Sequence, residues 1–238
     1  MALLLTLGAV APSSAMSAAN TVAGCTIKPK AKCPKKDFGM TSLKGVNLQG
    51  ANLSGSSFRG TSLVGANLTG ANLSNIGAGG TTTSNALTGN TEFRKGSWTK
   101  VRASKANLTE AEFGDGDLSN ANLAGANLTG FFATRTRFAG ANLSGANLTR
   151  AEIYGLPEDP KDIQRMGPNP FRGLNLTGAD LRDALLSFDL AGVNLSGANL
   201  TGANLGGAKN LEQAIVDGAI FCRTVAPGGY TETIDTNC

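Results

Sequence analysis

Four cysteines carry the most reactive side chains of this sequence, and they lie in two pairs near its ends: Cys25 with Cys33, and Cys222 with Cys238. Cysteine can bind metals, act as a nucleophile or form disulfides. The sequence contains no histidine, and neither pair has the C-x-x-C spacing of many zinc sites, so metal binding is not favoured. Disulfides are expected, and four cysteines allow three connectivities.

Carboxylates are the other candidates for chemistry. Asp180, Asp183 and Asp189 are scattered, and nothing in the sequence places two of them around a cleft. The absence of histidine removes most nucleophile and base pairs. We therefore expect no catalytic residue, no cofactor and no metal, and the chain is not predicted to be an enzyme.

The elements that position these residues follow a period of five. A large apolar residue recurs at this interval without a slip from Phe38 to Leu73 and again from Phe93 to Ile153. A small residue stands two positions earlier, an outward polar residue, mostly Asn, lies between them, and Gly often follows two positions later. This alternation predicts a short strand with two inward side chains, and the glycine suits a corner. Repeated strands and corners predict a parallel β-coil.

The units A-N-L-S-G and A-N-L-T-G resemble those of the pentapeptide-repeat family, and the resemblance covers nearly all of residues 37–221. It implies an all-β fold, a right-handed quadrilateral parallel β-helix with four quintets in each coil. About 35 quintets would give about nine coils and, at about 4.8 Å per coil, a rod about 40 Å long. The composition, with 32 Gly and 5% aromatic residues, suits such a thin interior.

Departures from the period divide the chain. Residues 37–153 form a first repeat segment, residues 154–170 with four prolines form a loop insertion, and residues 171–221 form a second segment. Residues 77–90 are rich in Gly and Thr, and we favour an irregular coil there over a bulge of one coil's length. The ends of a rod are far apart, which favours disulfides within each cysteine pair, in caps formed by residues 20–36 and 222–238.

The N-terminal residues 1–19 resemble a signal peptide, with the apolar run LLLTLGAVA and a cleavage site after Ala19. The stretch VAGC also resembles a bacterial lipobox, which leaves lipidation of Cys25 as an alternative to its disulfide. A membrane partner is expected only in that case. We therefore expect a secreted or periplasmic protein, with the thylakoid lumen as an alternative location.

The net charge of the chain indicates which classes of partner are unfavourable. Some proteins of the family resemble DNA and bind gyrase through strong negative fields, whereas this chain has a formal net charge of +4. Gyrase binding and nucleic-acid binding are therefore not favoured. In the basic stretch from Arg94 to Lys105, the twenty-residue coil predicts a charge ladder instead, with Lys95, Asp115 and Arg135 in one column and Asp117 beside Arg137.

The same coil arithmetic makes two further predictions. Trp98 should be interior, in a column with Phe58, Ala78, Leu118 and Phe138. Residues twenty or forty apart should also form ladders on one face, interrupted only where Leu87 and Gly89 stand: Asn67, Asn107, Asn127 and Asn147 beside Thr69, Thr109, Thr129 and Thr149. Such ladders suit any β-coil surface, or they could form a recognition face for a repetitive partner.

The sequence thus predicts a non-enzymatic exported solenoid that serves as a rigid binding or structural scaffold. Its partner, an unknown protein or a repetitive polymer, is not written in the sequence, and self-association is left open. A lipid-anchored surface protein and a thylakoid-lumen repeat protein are the alternatives.

Overall fold

The computed structural model describes residues 21–58, 61–64, 66–74, 98–114, 116–155, 169–228 and 233–238. Most of this chain winds into a parallel β-helix in which each turn bonds to the next. Its named strands are β1 (Thr21–Val22), β2 (Cys25–Thr26), β3 (Glu112–Gly114), β4 (Phe132–Thr134), β5 (Glu152–Tyr154), β6 (Leu185–Ser187), β7 (Phe221–Val225) and β8 (Thr233–Thr236). One 3-10 turn spans Leu211–Gln213.

The pairing of the strands is local at the two ends and parallel between them. Strands β1 and β2 form one antiparallel hairpin and β7 and β8 another, whereas β3, β4, β5 and β6 form a parallel sheet in that order. Single parallel bridges link the other quintets. In the described part of the chain, no helix is both long and apolar enough to cross a membrane.

The outward residue of each quintet pairs with the outward residue one turn away, usually twenty positions along. These pairs form four columns, numbered here in chain order. Column 1 contains Asn47, Asn67, Arg102, Asn122, Asn142, Asn175, Asn194 and Ile215. Column 2 contains Lys32, Asn52, Asn72, Asn107, Asn127, Asn147, Asp180, Asn199 and Ile220.

Columns 3 and 4 are less uniform. Column 3 contains Asp37, Ser57, Glu112, Phe132, Glu152, Leu185, Asn204 and Val225, and column 4 contains Ser42, Ser62, Asp117, Arg137, Asp189 and Lys209. Three-residue strands occur only in column 3 among the described turns, as β3 to β6.

The period of five places one residue of most described corners in the left-handed region of backbone space. Gly fills many of these corners, but Lys30, Lys105 and Arg150 adopt φ of 56°, 56° and 57° at equivalent positions. The left-handed conformation costs a non-glycine residue about 1–2 kcal/mol. Because tight corners recur every five residues, the interior burial of each quintet must offset this cost.

The interior differs between the two sides of the helix. Behind columns 1 and 2 it contains mainly Leu and Ala, such as Leu128, Leu143 and Ala146, all fully buried. Behind columns 3 and 4 a run of rings packs with centroid distances between 4.0 and 6.4 Å: Phe38, Phe58, Trp98, Phe113, Phe131, Phe138, Phe171 and Phe188. Trp98 is 1% exposed, so the prediction of an interior indole is confirmed.

The column of Trp98 differs in part from the prediction: Phe58 belongs to the column 3 quintet of Ser57, whereas Trp98 lies in column 4, because the spacing of 35 positions shifts later residues by one column. The backbone N–H of Trp98 donates to the carbonyl of Asp117, which places Trp98 in register with Leu118 as expected. The rings of Phe58 and Phe113 contact it edge-on, at centroid distances of 5.9 and 5.0 Å. Ala78 lies outside the described residues.

Candidate functional site

The Asn and Thr residues proposed as a recognition face occupy two columns rather than one. Asn107, Asn127 and Asn147 are consecutive in column 2, so Thr109, Thr129 and Thr149 lie along one line two residues further on. Asn67 instead pairs with Arg102 in column 1, and Gly70 donates to the carbonyl of Ser104. The prediction that Asn67 and Thr69 continue the ladder of Thr109 is therefore wrong.

The cause is the spacing across residues 75–97. Asn67 and Arg102 are 35 positions apart yet form a parallel bridge, as do Asn72 and Asn107. The excess over a twenty-residue turn equals three quintets, which shifts every later residue by one column. No further turn lies between these bridge partners in columns 1 and 2. The irregular coil that we favoured falls on residues 77–90, which lie outside the described residues.

A second long spacing occurs around residues 156–168. Asn142 pairs with Asn175, and Asn147 pairs with Asp180, 33 positions apart. The structure describes the chain up to Gly155, just after β5, and again from Asn169, at the start of a column 4 quintet. Columns 1 and 2 therefore continue directly past both long spacings.

The Asn side chains in these columns close their own corners. The Oδ1 atom of Asn107, Asn127 and Asn147 accepts the backbone N–H of the Thr two residues later, at 3.0 to 3.2 Å. The same oxygen accepts the Thr hydroxyl at 2.6 to 2.7 Å. An Asn that bonds its backbone two residues on stabilises a turn, so a structural reason for Asn exists at each position.

The amide nitrogens link some neighbouring turns. Asn67 Nδ2 donates to Asn47 Oδ1 at 3.3 Å, and Asn175 Nδ2 donates to Asn142 Oδ1 at the same distance. The result is a surface of oriented amides and hydroxyls whose rotamers are fixed by local hydrogen bonds. A surface held in one arrangement loses little side-chain entropy when a partner docks.

Charged residues are few in these two columns. In column 2, Arg182 forms a forked pair with Asp180, with Nη2 2.6 Å from Oδ2. The hydrogen bonds from Arg182 lower the pKa of the Asp180 carboxyl below its usual range, and the carboxylate raises the pKa of the guanidinium. Arg102 is the charged residue of column 1.

Columns 3 and 4 carry a different surface. The half-buried rings of Phe132 and Tyr154 lie 5.8 Å apart, and the Tyr154 hydroxyl donates to Glu152 Oε2 at 3.1 Å. Partial burial, followed by this hydrogen bond and the negative charge of Glu152, raises the pKa of Tyr154. Asp117 and Arg137 are bridge partners, as the charge ladder predicts; Lys95 and Asp115 lie outside the described residues.

The cysteines lie at the two ends of the helix. Cys25 bonds Cys33, and Cys222 bonds Cys238. The first bond ties the β1–β2 hairpin to the first turn, and Cys25 is 1% exposed. No cluster of three or more His, Cys, Asp or Glu that could hold a metal occurs within the described ranges.

These features define a class: a parallel β-helix built from five-residue repeats and closed at both ends by disulfide-bonded hairpins. The model of pentapeptide repeats matches this chain in eight copies, over residues 41–76, 117–152 and 188–209. The chain is a pentapeptide-repeat protein. The family implies a right-handed β-helix, and it is not a family of enzymes.

Several solved structures are similar to this chain. QnrB1, a plasmid-mediated fluoroquinolone resistance protein, is 14% identical over 80% of this chain and 84% of its own, with a TM-score of 0.38. HetL, which is involved in heterocyst differentiation in the cyanobacterium Nostoc, is 22% identical over 84% and 90%, with a TM-score of 0.27. A search of curated proteins found no match.

A third similar structure is a pentapeptide-repeat protein of the Arabidopsis thaliana thylakoid lumen. It is 28% identical over 45% of this chain and 63% of its own, with a TM-score of 0.24. The thylakoid-lumen location is stated for the Arabidopsis protein alone.

Proposed function

We propose that this chain is an exported, non-enzymatic scaffold that docks a partner on columns 1 and 2. In this proposal the helix is a four-sided rod of about nine coils, about 40 Å long at about 4.8 Å per coil. The partner is a protein or a repetitive polymer with a flat, uncharged contact surface.

The observation that carries the proposal is the continuity of the two columns. Both long spacings, of 35 and 33 positions, leave the bridges of columns 1 and 2 intact. The amide surface therefore extends from Lys32 to Ile220 in column 2 and from Asn47 to Ile215 in column 1. A rigid surface of this length suits a flat partner, because its hydrogen-bonding groups are already oriented.

Export is supported by the disulfides and by the N-terminal sequence. Disulfides persist in oxidising compartments and are rare in the cytosol. This chain has two, Cys25–Cys33 and Cys222–Cys238. The apolar run before Ala19 has the length of a signal peptide. In the expressing cell, the exported protein should begin at Asn20, which mass spectrometry of the intact secreted chain measures directly; a secreted chain that retains Met1 would contradict cleavage.

Docking is tested by a double substitution in column 2 and a single control substitution in column 3. Thr109→Lys with Thr129→Lys places bulky positive charge at the centre of column 2, whereas Thr134→Lys places one at the equivalent position of column 3. The purified variants are used to capture partners from the exported fraction of the source cell. Partners captured by the unchanged protein should be lost with the column 2 variant and kept with Thr134→Lys, because bulk and charge at an interface centre abolish contact.

The folded state of each variant is checked first. Near-identical circular dichroism and melting temperature exclude unfolding as the cause of lost capture. If the column 2 variant binds every partner as well as the unchanged protein does, columns 1 and 2 are not the docking surface.

A further inference from the structure

The last turn of the helix leaves one strand edge open. Strand β8 pairs with β7 and covers the edge at Phe221–Val225. The preceding quintet, Ala214 to Gly218, has no such neighbour in the described part of the chain: the N–H groups of Val216 and Gly218 and the carbonyl of Ala214 form no hydrogen bond there. At the equivalent positions one turn earlier, all three groups are bonded to the next turn.

Two apolar side chains mark the same edge. Ile215 is 48% exposed and Val216 is 36% exposed, although Val216 stands at a position that is interior in the preceding turns. An open edge with exposed β-branched residues is a template for another strand. The side chains alone do not say which strand docks there.

The first turn of the helix offers the complementary edge. Among the described residues, the N–H and C=O groups of Asp37 and of Ser42 have no hydrogen-bond partner, and neither has the carbonyl of Lys44. Within the helix, groups at these positions bond to the turn before them. The donors and acceptors left at the first turn are therefore those that the last turn lacks.

Charge selects between the ways in which two copies could meet. The first turn, residues 28–45, contains six Lys and one Asp, which gives a net charge of +5. Residues 206–238 contain four acidic and two basic residues, which gives a net charge of −2. Two first turns would repel each other, and so would two last turns, whereas a first turn attracts a last turn.

We propose that a second copy of this chain docks end to end, with its first turn against the open edge at Ala214 to Gly218. Val216 N–H donates to the carbonyl of Asp37 or Ser42 of the second copy, and the parallel ladder continues from one copy to the next. The contact is heterologous, so it can extend to more than two copies. The disulfide-bonded hairpins occupy part of each end and keep the contact small, which makes it weak and reversible.

The test uses one variant blocked at each end. Ile215→Lys with Asp217→Lys places positive charge at the last turn, and Lys36→Glu with Lys44→Glu places negative charge at the first turn. Asn122→Lys, in the same outward column as Ile215 but in the middle of the helix, is the control. Sedimentation velocity of the oxidised full chain is measured at protein concentrations up to about 1 mM, the range of weak contacts.

The unchanged protein and Asn122→Lys should sediment faster as concentration rises, and about 0.5 M salt should weaken this self-association, because the contact depends on charge. Each end-blocked variant alone should lose at least about tenfold in association, because the first-turn changes lower that end's net charge from +5 to +1 and the last-turn changes turn −2 into +1. A mixture of the two variants should form dimers again, because the unblocked first turn of one variant meets the unblocked last turn of the other.

Two results would overturn the proposal. One is an unchanged protein that stays monomeric over the whole concentration range. The other is a variant blocked at its first turn that still forms dimers alone, which would indicate contact between two last turns.

Discussion

Columns 1 and 2 and columns 3 and 4 share one backbone pattern but differ inside and out. Columns 1 and 2 cover a Leu and Ala interior, present amides and hydroxyls, and have bridges across both long spacings, whereas column 3 has a bridge across the second, from Glu152 to Leu185. Columns 3 and 4 cover a run of aromatic rings and present carboxylates, Arg137 and the Phe132–Tyr154 pair. Gly155 and Asn169, which border the second long spacing, belong to a column 3 and a column 4 quintet.

The difference shows how a repeat protein accommodates insertions. On the side where the second long spacing begins, aromatic rings line the interior, and they bury more area for each residue than Leu or Ala does. Ser56, Thr61 and Thr136 are also buried on this side, and their hydroxyls donate to backbone carbonyls of the adjoining turn. The side on which the second long spacing begins therefore has the more strongly packed interior.

The largest expected effect is on unfolding free energy, and it compares substitutions in the two interiors. Phe138→Ala, in the aromatic run, should cost about 3–5 kcal/mol of unfolding free energy, and Leu143→Ala, behind column 1, about 2–5 kcal/mol. Phe138 contacts rings on both sides, at 6.4 Å to Phe131 and 5.6 Å to Phe171, so we expect the larger loss there. Chemical denaturation measures both values, and a smaller loss for Phe138→Ala would contradict a dominant aromatic side.

A medium effect on stability compares substitutions on the outer surfaces. Asn127→Ala removes the oxygen that closes its corner and should cost about 1 kcal/mol. Asn127→Asp keeps that acceptor and is the matched control, with a smaller loss. Phe132→Ala is the comparison on the other surface, in column 3, where the substitution removes no corner hydrogen bond. Equal melting temperatures for Asn127→Ala and Asn127→Asp would show that the corner bond contributes nothing.

The smallest effect concerns the charged pair in column 2. Arg182 lowers the pKa of Asp180 from its ordinary value of 3.8, so the folded state binds the proton less tightly than the unfolded state does. The pair therefore stabilises the fold above about pH 4, and this stabilisation disappears as pH falls through the lowered pKa. Because both side chains are largely exposed, the effect is small.

Comparing unfolding of the unchanged protein with Asp180→Asn from pH 7 to pH 2 tests this sign. The stability difference should shrink on the acid side. A difference that grows as the pH falls would contradict it.

Much of the fold could be predicted because the residues within each quintet determine its local geometry. The inward pair, the corner and the burial of Trp98 all follow from residues within a few positions of one another. Column membership could not be predicted in the same way. It depends on how many quintets separate bridge partners across residues 75–97, and three excess quintets preserve the phase of five while shifting Thr109 away from Thr69.

The candidate surface was predictable only in its composition. The repeated Asn was visible, but its bond to the backbone two residues later requires corner geometry. The open edge at Val216 was also hidden, since Val216 fits the repeat as an interior residue and is exposed only because no later turn covers it.

The central claim is that columns 1 and 2 run unbroken past the long spacings. Nuclear Overhauser contacts in solution test it directly, since bonded parallel strands bring their backbone protons close together. We predict contacts between the backbones of Leu68 and Arg102, whose N–H and carbonyl are bonded at 2.6 Å. Contacts from Asn67 to Leu87, twenty residues further on, would contradict it.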